Sequence, residues 1–510
     1  MILFDTTLGN AFTRLTLLIG LWGTLPISVA AEMTPLSPCD PELHPDLIAY
    51  EPASLCAEIE VPEAEDDNQR MITLSVVVLP ATTRQRVADP IVLLAGGPGQ
   101  SAIEVAPDWA ASFENLRKTR DFLIMDQRGT GRSNSLACSE HLDPVLESLE
   151  TQTASVEEAL AIQISALQKC LTQLDADPTH YTSLDAAGDL EFVRKHLDYP
   201  TLNLFGISYG TRMAFIYARQ YPASVRSLLL DAVAPTNMLI PERVALDADL
   251  AFRLVELECQ SSPSCHSAFP NLRQKLKKAE AFLRNLDHDL LAIDPLTGER
   301  TFARPDPRLI NRLLRSALYS RGLRQLVPLA INEAAEGRVE VLLGMGAVLN
   351  PESASSGISL GMMASVLCSE DMTQMESMQH GEFFDNALQE LLISVCDFWP
   401  HQAVSAGYFE PFQSDTPALL MSGTLDPITP PSYAIEAMHS LTAAQHIEIL
   451  GGTHGVGHLG CMPDLIETFL TDLSSPKLDT SCTLSIAPRP FFTSHAGPFA
   501  REPDEEELHD

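Results

Sequence analysis

LNLFGISYGTRMAFIYARQYP, residues 202–222, carries a short apolar run into Gly206-Ile207-Ser208-Tyr209-Gly210 and continues as a helical pattern. The run predicts a strand, the small residues a sharp turn, and the remainder a helix. In such a turn the central residue takes a strained backbone conformation, and glycines two positions either side let the strand and helix backbones pass without a Cβ clash. Ser208 would then stand above a sheet as a nucleophile. The five-residue pattern by itself also marks ordinary loops; its place after a strand and before a helix gives it weight. A base, an acid and an oxyanion hole have to come from elsewhere in the chain.

Upstream, residues 39–70 read as polar and proline-containing, and MITLSVVVL (71–79) is β-branched and apolar enough for a strand. IVLLA (91–95) is a continuous apolar run of the kind buried on both faces of a parallel sheet. It empties into Gly96-Gly97-Pro98-Gly99-Gln100-Ser101, which lacks the G-K-[ST] of a phosphate cradle. That loop is either a plain tight turn or a place where backbone N–H groups approach a substrate oxygen. Residues 122–125 predict another buried strand leading into Asp126-Gln127-Arg128, where Asp126 and Arg128 are expected to brace the loop rather than react. Helical spacing covers 155–174 and 184–196, and SLLLDA (227–232) predicts the strand after the serine turn. Strands alternating with helices indicate the α/β class with a mostly parallel central sheet.

From about 233 to 401 the alternation stops, and helical segments at 246–259, 272–285, 306–318 and 323–336 predict a helical cap inserted into the domain. Alternation resumes at PALLM (417–421) and its loop 422–430, a helix at 432–439, a strand HIEIL (446–450), the loop Gly451-Gly452-Thr453-His454-Gly455 and a helix at 464–473. The expected layout is therefore an export signal at 1–31, an α/β domain in two parts at 32–232 and 402–485 around the cap at 233–401, and a disordered acidic tail at 486–510 ending REPDEEELHD.

The composition of the 510-residue chain, 45% hydrophobic and 20% charged, is globular. A formal charge of −35 argues against nucleic acid, whose phosphates it would repel. Arg14, the apolar run 15–29 and the small residues Ser28-Val29-Ala30-Ala31 read as a cleaved export signal; an uncleaved anchor is disfavoured because Gly20, Gly23 and Pro26 interrupt the run. No other stretch is apolar enough to cross a bilayer, so no stable membrane association is expected after cleavage. The protein is expected in the periplasm or outside the cell. Ten cysteines in an exported chain point to disulfides. Neighbours in sequence suggest Cys39–Cys56, Cys138–Cys170, Cys259–Cys265, Cys368–Cys396 and Cys461–Cys482, although connectivity does not strictly follow from sequence. No closely spaced C-x-x-C pair or Cys/His cluster suggests zinc, so neither metal nor cofactor is expected.

Serine is a poor nucleophile at neutral pH and needs a base within hydrogen-bond reach and a carboxylate to orient that base. Ser208, Asp426 and His454 each follow an expected strand, and in a parallel sheet those strand ends lie along one edge, where residues more than two hundred positions apart can converge. His458 is the rival to His454 but lies further from its strand. The expected oxyanion donors are the N–H of Tyr209 and one from the glycine loop, Gly97.

Taken together, GGPGQS (96–101), DQRGTGRS (126–133), GISYG (206–210), GTLDPITP (423–430) and THG (453–455) resemble the proline iminopeptidase and tripeptidyl aminopeptidase family of α/β-hydrolases. The resemblance runs from about residue 39 to 482, and VLCSED (366–371) and CDFWP (396–400) look most like the secreted tripeptidyl-aminopeptidase branch. One departure is Ala95, where proline iminopeptidases carry a histidine. The resemblance implies an α/β-hydrolase fold and a secreted serine exopeptidase acting on peptides with a free N-terminus. It also implies that acidic residues hold the substrate's α-ammonium, for which Glu370 and Asp371 are the candidates; helix capping or solvation is the bland account of both. A carboxylesterase on the same fold is the alternative.

Overall fold

Along each central strand successive side chains leave opposite faces of the sheet, and both faces are buried. In β4 (Ile91–Leu94) and β5 (Phe122–Met125), Val92 and Leu123 enter one core while Ile91, Leu93, Phe122 and Ile124 enter the other. β6 (Leu202–Ile207) divides in the same way, with Leu204 on the first face and Phe205 on the second. The computed structural model describes residues 35–47, 49–50, 52–64, 67–142, 156–286, 288–293, 298, 300–303, 308–349, 358–474 and 477–498. The expected export signal at 1–31 and the acidic end at 501–510 lie outside them.

The sheet has nine strands in the order β1-β2-β3-β5-β4-β6-β7-β10-β11. β1 (Ser37–Pro38), β2 (Leu55–Ala64) and β3 (Asp67–Leu79) form an antiparallel margin that pairs antiparallel with β5. From β5 onward every pairing is parallel, through β4, β6, β7 (Val225–Asp231), β10 (Ala418–Gly423) and β11 (Ala444–Ile449). The carboxyl ends of β4, β6, β7, β10 and β11 thus share one edge, the position where open parallel sheets bind ligands. One face is covered by helices that include α1 (Ala102–Ser112), whose Trp109 packs on Phe122 and Phe205. On the other face lie α3 (Ser183–His196), which opens on a Thr182/Asp185 capping box, and α4 (Tyr209–Gln220), while α2 (Val156–Leu171) packs its Ala166 and Leu167 with Val395 and Trp399 in a separate small core.

Within 39–70, read as polar from sequence, the structure has the ten-residue strand β2. Its Ala57, Ile59 and Val61 are buried while Glu58 and Glu60 are exposed. The acidic alternate positions mark the solvent-facing side of this antiparallel margin and hide its period. The segment expected as a cap, 233–401, is mainly helical. It runs through α5 (Ile240–Ser261), α6 (Pro263–Ala268), α7 (Leu272–Arg284), α8 (Leu309–Leu318), α9 (Val327–Ala335), α10 (Glu340–Leu349), α11 (Leu360–Glu370) and α12 (Ala387–Cys396). A β8–β9 hairpin (Leu290–Ile293, Arg300–Ala303) interrupts it. The cap has a core of its own, built on Phe252, Leu276, Leu314, Ile331 and Phe384. Beyond β10, α13 (Pro431–Met438) and α14 (Met462–Thr471) complete the hydrolase part.

The expected tail at 486–510 begins too early. Phe491 is 5% exposed inside the cap core, Arg324 lies over its ring at 5.0 Å, and Phe492 N–H donates to the Gln325 carbonyl at 3.0 Å. All ten cysteines pair as the sequence spacing suggested, and Cys368–Cys396 ties α11 to α12.

Candidate active site

Ser208, between β6 and α4, has φ 58° and ψ −126°. Such a conformation is costly for a residue with a Cβ and persists only where its surroundings hold it. Its N–H donates to the Asp231 carbonyl at 3.0 Å, and its carbonyl accepts Thr211 N–H at 2.9 Å and Thr211 Oγ1 at 2.7 Å. A Cβ on Gly210 would stand 1.9 Å from the Leu94 carbonyl, and one on Gly206 would stand 2.4 Å from the Gly210 carbonyl. Strand β4, strand β6 and helix α4 therefore meet at distances that only glycine permits. Gly96 belongs to the same contact, since its added Cβ would lie 3.2 Å from the Ser208 Cβ.

At the ends of β10 and β11 the two loops touch. Leu425 N–H donates to Gly452 O at 2.9 Å, and a Cβ on Gly423 would come within 2.3 Å of Thr453 O. This contact joins Asp426 to His454, whose Nδ1 lies 2.9 and 3.1 Å from the two carboxylate oxygens. Asp426 is 2% exposed and also accepts the amides of Ile428 and Thr429 and the Thr429 hydroxyl. Burial opposes its charge, but His454 and these donors outweigh it and hold its pKa below the ordinary value. Burial likewise opposes the imidazolium of His454, yet Asp426, followed by Asp231, raises its pKa above the ordinary 6.5. Tyr319 packs edge-on against the His454 ring at 5.1 Å. His458 is exposed.

Asp231, at the end of β7 between the serine strand and the aspartate strand, was not singled out from sequence. Its carboxylate accepts Val456 N–H at 2.9 Å and Gly457 N–H at 2.7 Å, which anchors the loop that carries His454. Burial pushes its pKa up to about 6, against the pull of those two amides. The strand-terminal Asp in SLLLDA was its only sequence signal, since its partners lie 225 and 226 residues away.

Gly97 has φ 108° and precedes Pro98 through a cis peptide. In the same loop Gln100 closes back on Gly96 through backbone and side-chain hydrogen bonds. Tyr209 opens α4, where the first N–H groups of a helix lack intrahelical acceptors. Its ring is buried, with the hydroxyl 2.7 Å from Ser183 Oγ. Asp126 braces the loops as expected, accepting Ser101 Oγ and the amides of Ile103 and Arg132. Arg128 forms a buried bidentate pair with Asp189 at 2.7 Å.

Glu370 and Asp371 lie elsewhere than expected. They are 0% and 1% exposed, at the buried C-terminal end of α11. Glu370 accepts Ser183 N–H at 2.7 Å, Ser183 Oγ at 2.9 Å and the Tyr408 hydroxyl. Asp371 pairs with Arg212 at 2.7 Å and accepts Ile240 N–H. Their oxygens are committed to protein donors rather than turned toward a substrate ammonium. They join the cap to α3 and α4 beneath the serine turn. Arg212, a fully buried cation in the first turn of α4, is the sequence signal for this pairing. Among the described residues no group of three or more His, Cys, Asp or Glu side chains could hold a metal ion.

Residues 89–254 match the alpha/beta hydrolase fold family, which agrees with the parallel sheet and the strand–serine–helix turn described above. The chain has the α/β-hydrolase fold. Residues 381–482 of this hydrolase match the family described as TAP-like protein. It is 25% identical over 476 residues to the serine protease Hip1 of Mycobacterium tuberculosis H37Rv, covering 84% of this chain and 87% of that one. It is 23% identical over 434 residues to the tripeptidyl aminopeptidase of Streptomyces lividans, covering 80% and 79%. A 144-residue stretch, 28% of this chain and 32% of the other, is 27% identical to the proline iminopeptidase of Neisseria gonorrhoeae.

Proposed function

We propose that this hydrolase is an exported serine exopeptidase that releases short N-terminal peptides or amino acids through an acyl-enzyme on Ser208. The observation that carries the reading is a strained serine on a strand–helix turn, joined through Asp231 to a loop whose histidine is held by a buried carboxylate. In this mechanism Ser208 Oγ attacks the scissile carbonyl, and His454 takes its proton and returns it to the leaving amine. Asp426 keeps the His454 Nδ1–H pointed at itself and stabilises the imidazolium. The N–H groups of Gly97 and Tyr209 receive the developing oxyanion, and losing one such donor costs about 3–4 kcal/mol in the transition state.

Peptidase chemistry rather than general ester hydrolysis is supported by the relatives named above, which are called a serine protease and aminopeptidases. Export is supported by five disulfides and no free thiol among the described residues. The substrate's free N-terminus is part of the proposal, although Glu370 and Asp371, as placed here, do not supply its counter-charge.

A panel of aminoacyl, dipeptidyl and tripeptidyl chromogenic amides, each with an N-blocked control, tests the reading. Turnover of free-amine amides with little turnover of blocked ones is the expected result. Turnover of simple esters without any amide would make the protein a carboxylesterase.

A further inference from the structure

A cavity of about 320 Å³ opens between cap helix α8 and helices α2 and α12. Its walls are largely apolar, with Leu160, Val244, Phe384 and Leu388 among them. One edge is a row of arginines, Arg308, Arg312 and Arg315, spaced four and three residues apart and therefore on one helical face. Arg308 is committed to Glu390 at 2.8 Å and Asp385 at 3.4 Å. Among the described residues no carboxylate pairs with Arg312 or Arg315. Acidic residues outnumber basic ones 68 to 33 in this chain, so two cations left facing an apolar cavity stand out against the rest of its electrostatics.

The same helix leads to the site. Tyr319 caps the C-terminal end of α8 and packs on His454 at 5.1 Å. At the 1.5 Å rise of an α-helix, Arg315 lies about 6 Å and Arg312 about 10 Å back along the axis from Tyr319. The cavity's cations thus stand on the helix whose C-terminal end packs against His454, one to two turns back from that end.

We propose that this cavity is a specificity subsite for a carboxylate on a peptide substrate, either an acidic side chain or a terminal carboxylate, with Arg312 and Arg315 as its cations. The proposal rests on the peptidase reading above. An apolar cavity with a few convergent polar groups is the usual form of a ligand site, and arginine is suited to holding a carboxylate through two parallel hydrogen bonds. Arg308, neutralised by α12 and its approach, bounds the subsite rather than adding to it.

The test compares kcat/KM for peptides that differ only as Glu against Gln at each position, and for peptides with free against amidated C-termini. Wild-type enzyme is expected to favour the carboxylate at one such position by about tenfold. A preference that survives amidation assigns the site to a side chain, and one abolished by amidation assigns it to the terminus. Arg312→Gln with Arg315→Gln should bring kcat/KM for the Glu peptides down to that of their Gln counterparts, and Arg315→Glu should turn the preference toward Lys-bearing peptides. Arg312 is exposed and Arg315 half-buried, so these variants are expected to fold. Peptides cleaved with no Glu/Gln or acid/amide discrimination overturn the subsite alone. Esters cleaved but no peptide at all overturns both the subsite and the peptidase reading.

Discussion

The main-chain carbonyl of Asp231 accepts the N–H of Ser208 at 3.0 Å. The Asp231 carboxylate accepts the amides of Val456 and Gly457, two and three residues past His454. One residue at the end of β7 thereby fixes the candidate nucleophile and the candidate base to each other. Asp231→Asn keeps one carbonyl oxygen but turns an NH₂ toward a backbone donor, so the histidine loop should shift. We expect kcat to fall at least tenfold with KM nearly unchanged, and Asp231→Ala to fall further. Equal kcat in wild type and both variants would make the contact merely structural.

The activity should be lost as pH falls. His454 must be neutral to accept the Ser208 proton, and its pKa lies above 6.5 because Asp426 and Asp231 oppose deprotonation. The acidic limb of kcat/KM is therefore expected above pH 6.5. Asp426→Asn removes the main cause of that shift and should move the limb to lower pH, with a drop in kcat of roughly 10⁴-fold because the tautomer is no longer enforced. A pH–rate profile of the two proteins checks both, and a limb that does not move would separate Asp426 from the titrating group.

Two glycines that look alike in sequence should behave in opposite ways. Gly210→Ala puts a Cβ 1.9 Å from a backbone oxygen of β4, which no side-chain adjustment can relieve. Loss of soluble protein or of fluorophosphonate labelling at Ser208 is expected. Gly188, inside α3, meets nothing closer than the Tyr221 hydroxyl at 3.8 Å. Gly188→Ala should raise stability by about 0.5–1 kcal/mol through helix propensity, with labelling intact. Chemical denaturation and a labelling gel read both results.

What could be read from sequence was whatever a local pattern specifies. The apolar runs at 91–95 and 122–125 have the length and all-apolar make-up of central strands, and Ser208, Asp426 and His454 stand where strands end, so the sheet and the positions of the candidate site residues were legible together. Contacts made across the fold were not legible. Nothing near Asp231 announces amides that arrive from 225 residues away, and α11 is apolar on all sides, so the burial of Glu370 has no periodic signature. Phe491 falls within the expected tail 486–510, whereas its ring completes the cap core. β2 was passed over because the glutamates on its open face interrupt the apolar run.

Glu370 carries a stability prediction of its own. Burial lifts its pKa from 4.5 to about 7, against the pull of Arg212 and its hydrogen-bond donors. Between those values the folded protein binds a proton that the unfolded chain has released, so this group lowers stability as pH rises from about 4.5 through 7 and has no such effect below 4.5. The full span corresponds to at most about 3 kcal/mol. Glu370→Gln cannot ionise and should lose this slope. Its stability relative to wild type should therefore improve between pH 5 and pH 8, even if the lost hydrogen bonds to Ser183 and Tyr408 leave it weaker at pH 5. Thermal melts of both proteins at the two pH values measure the difference. A gap between variant and wild type that stays constant with pH would mean that Glu370 takes up no extra proton in the folded protein.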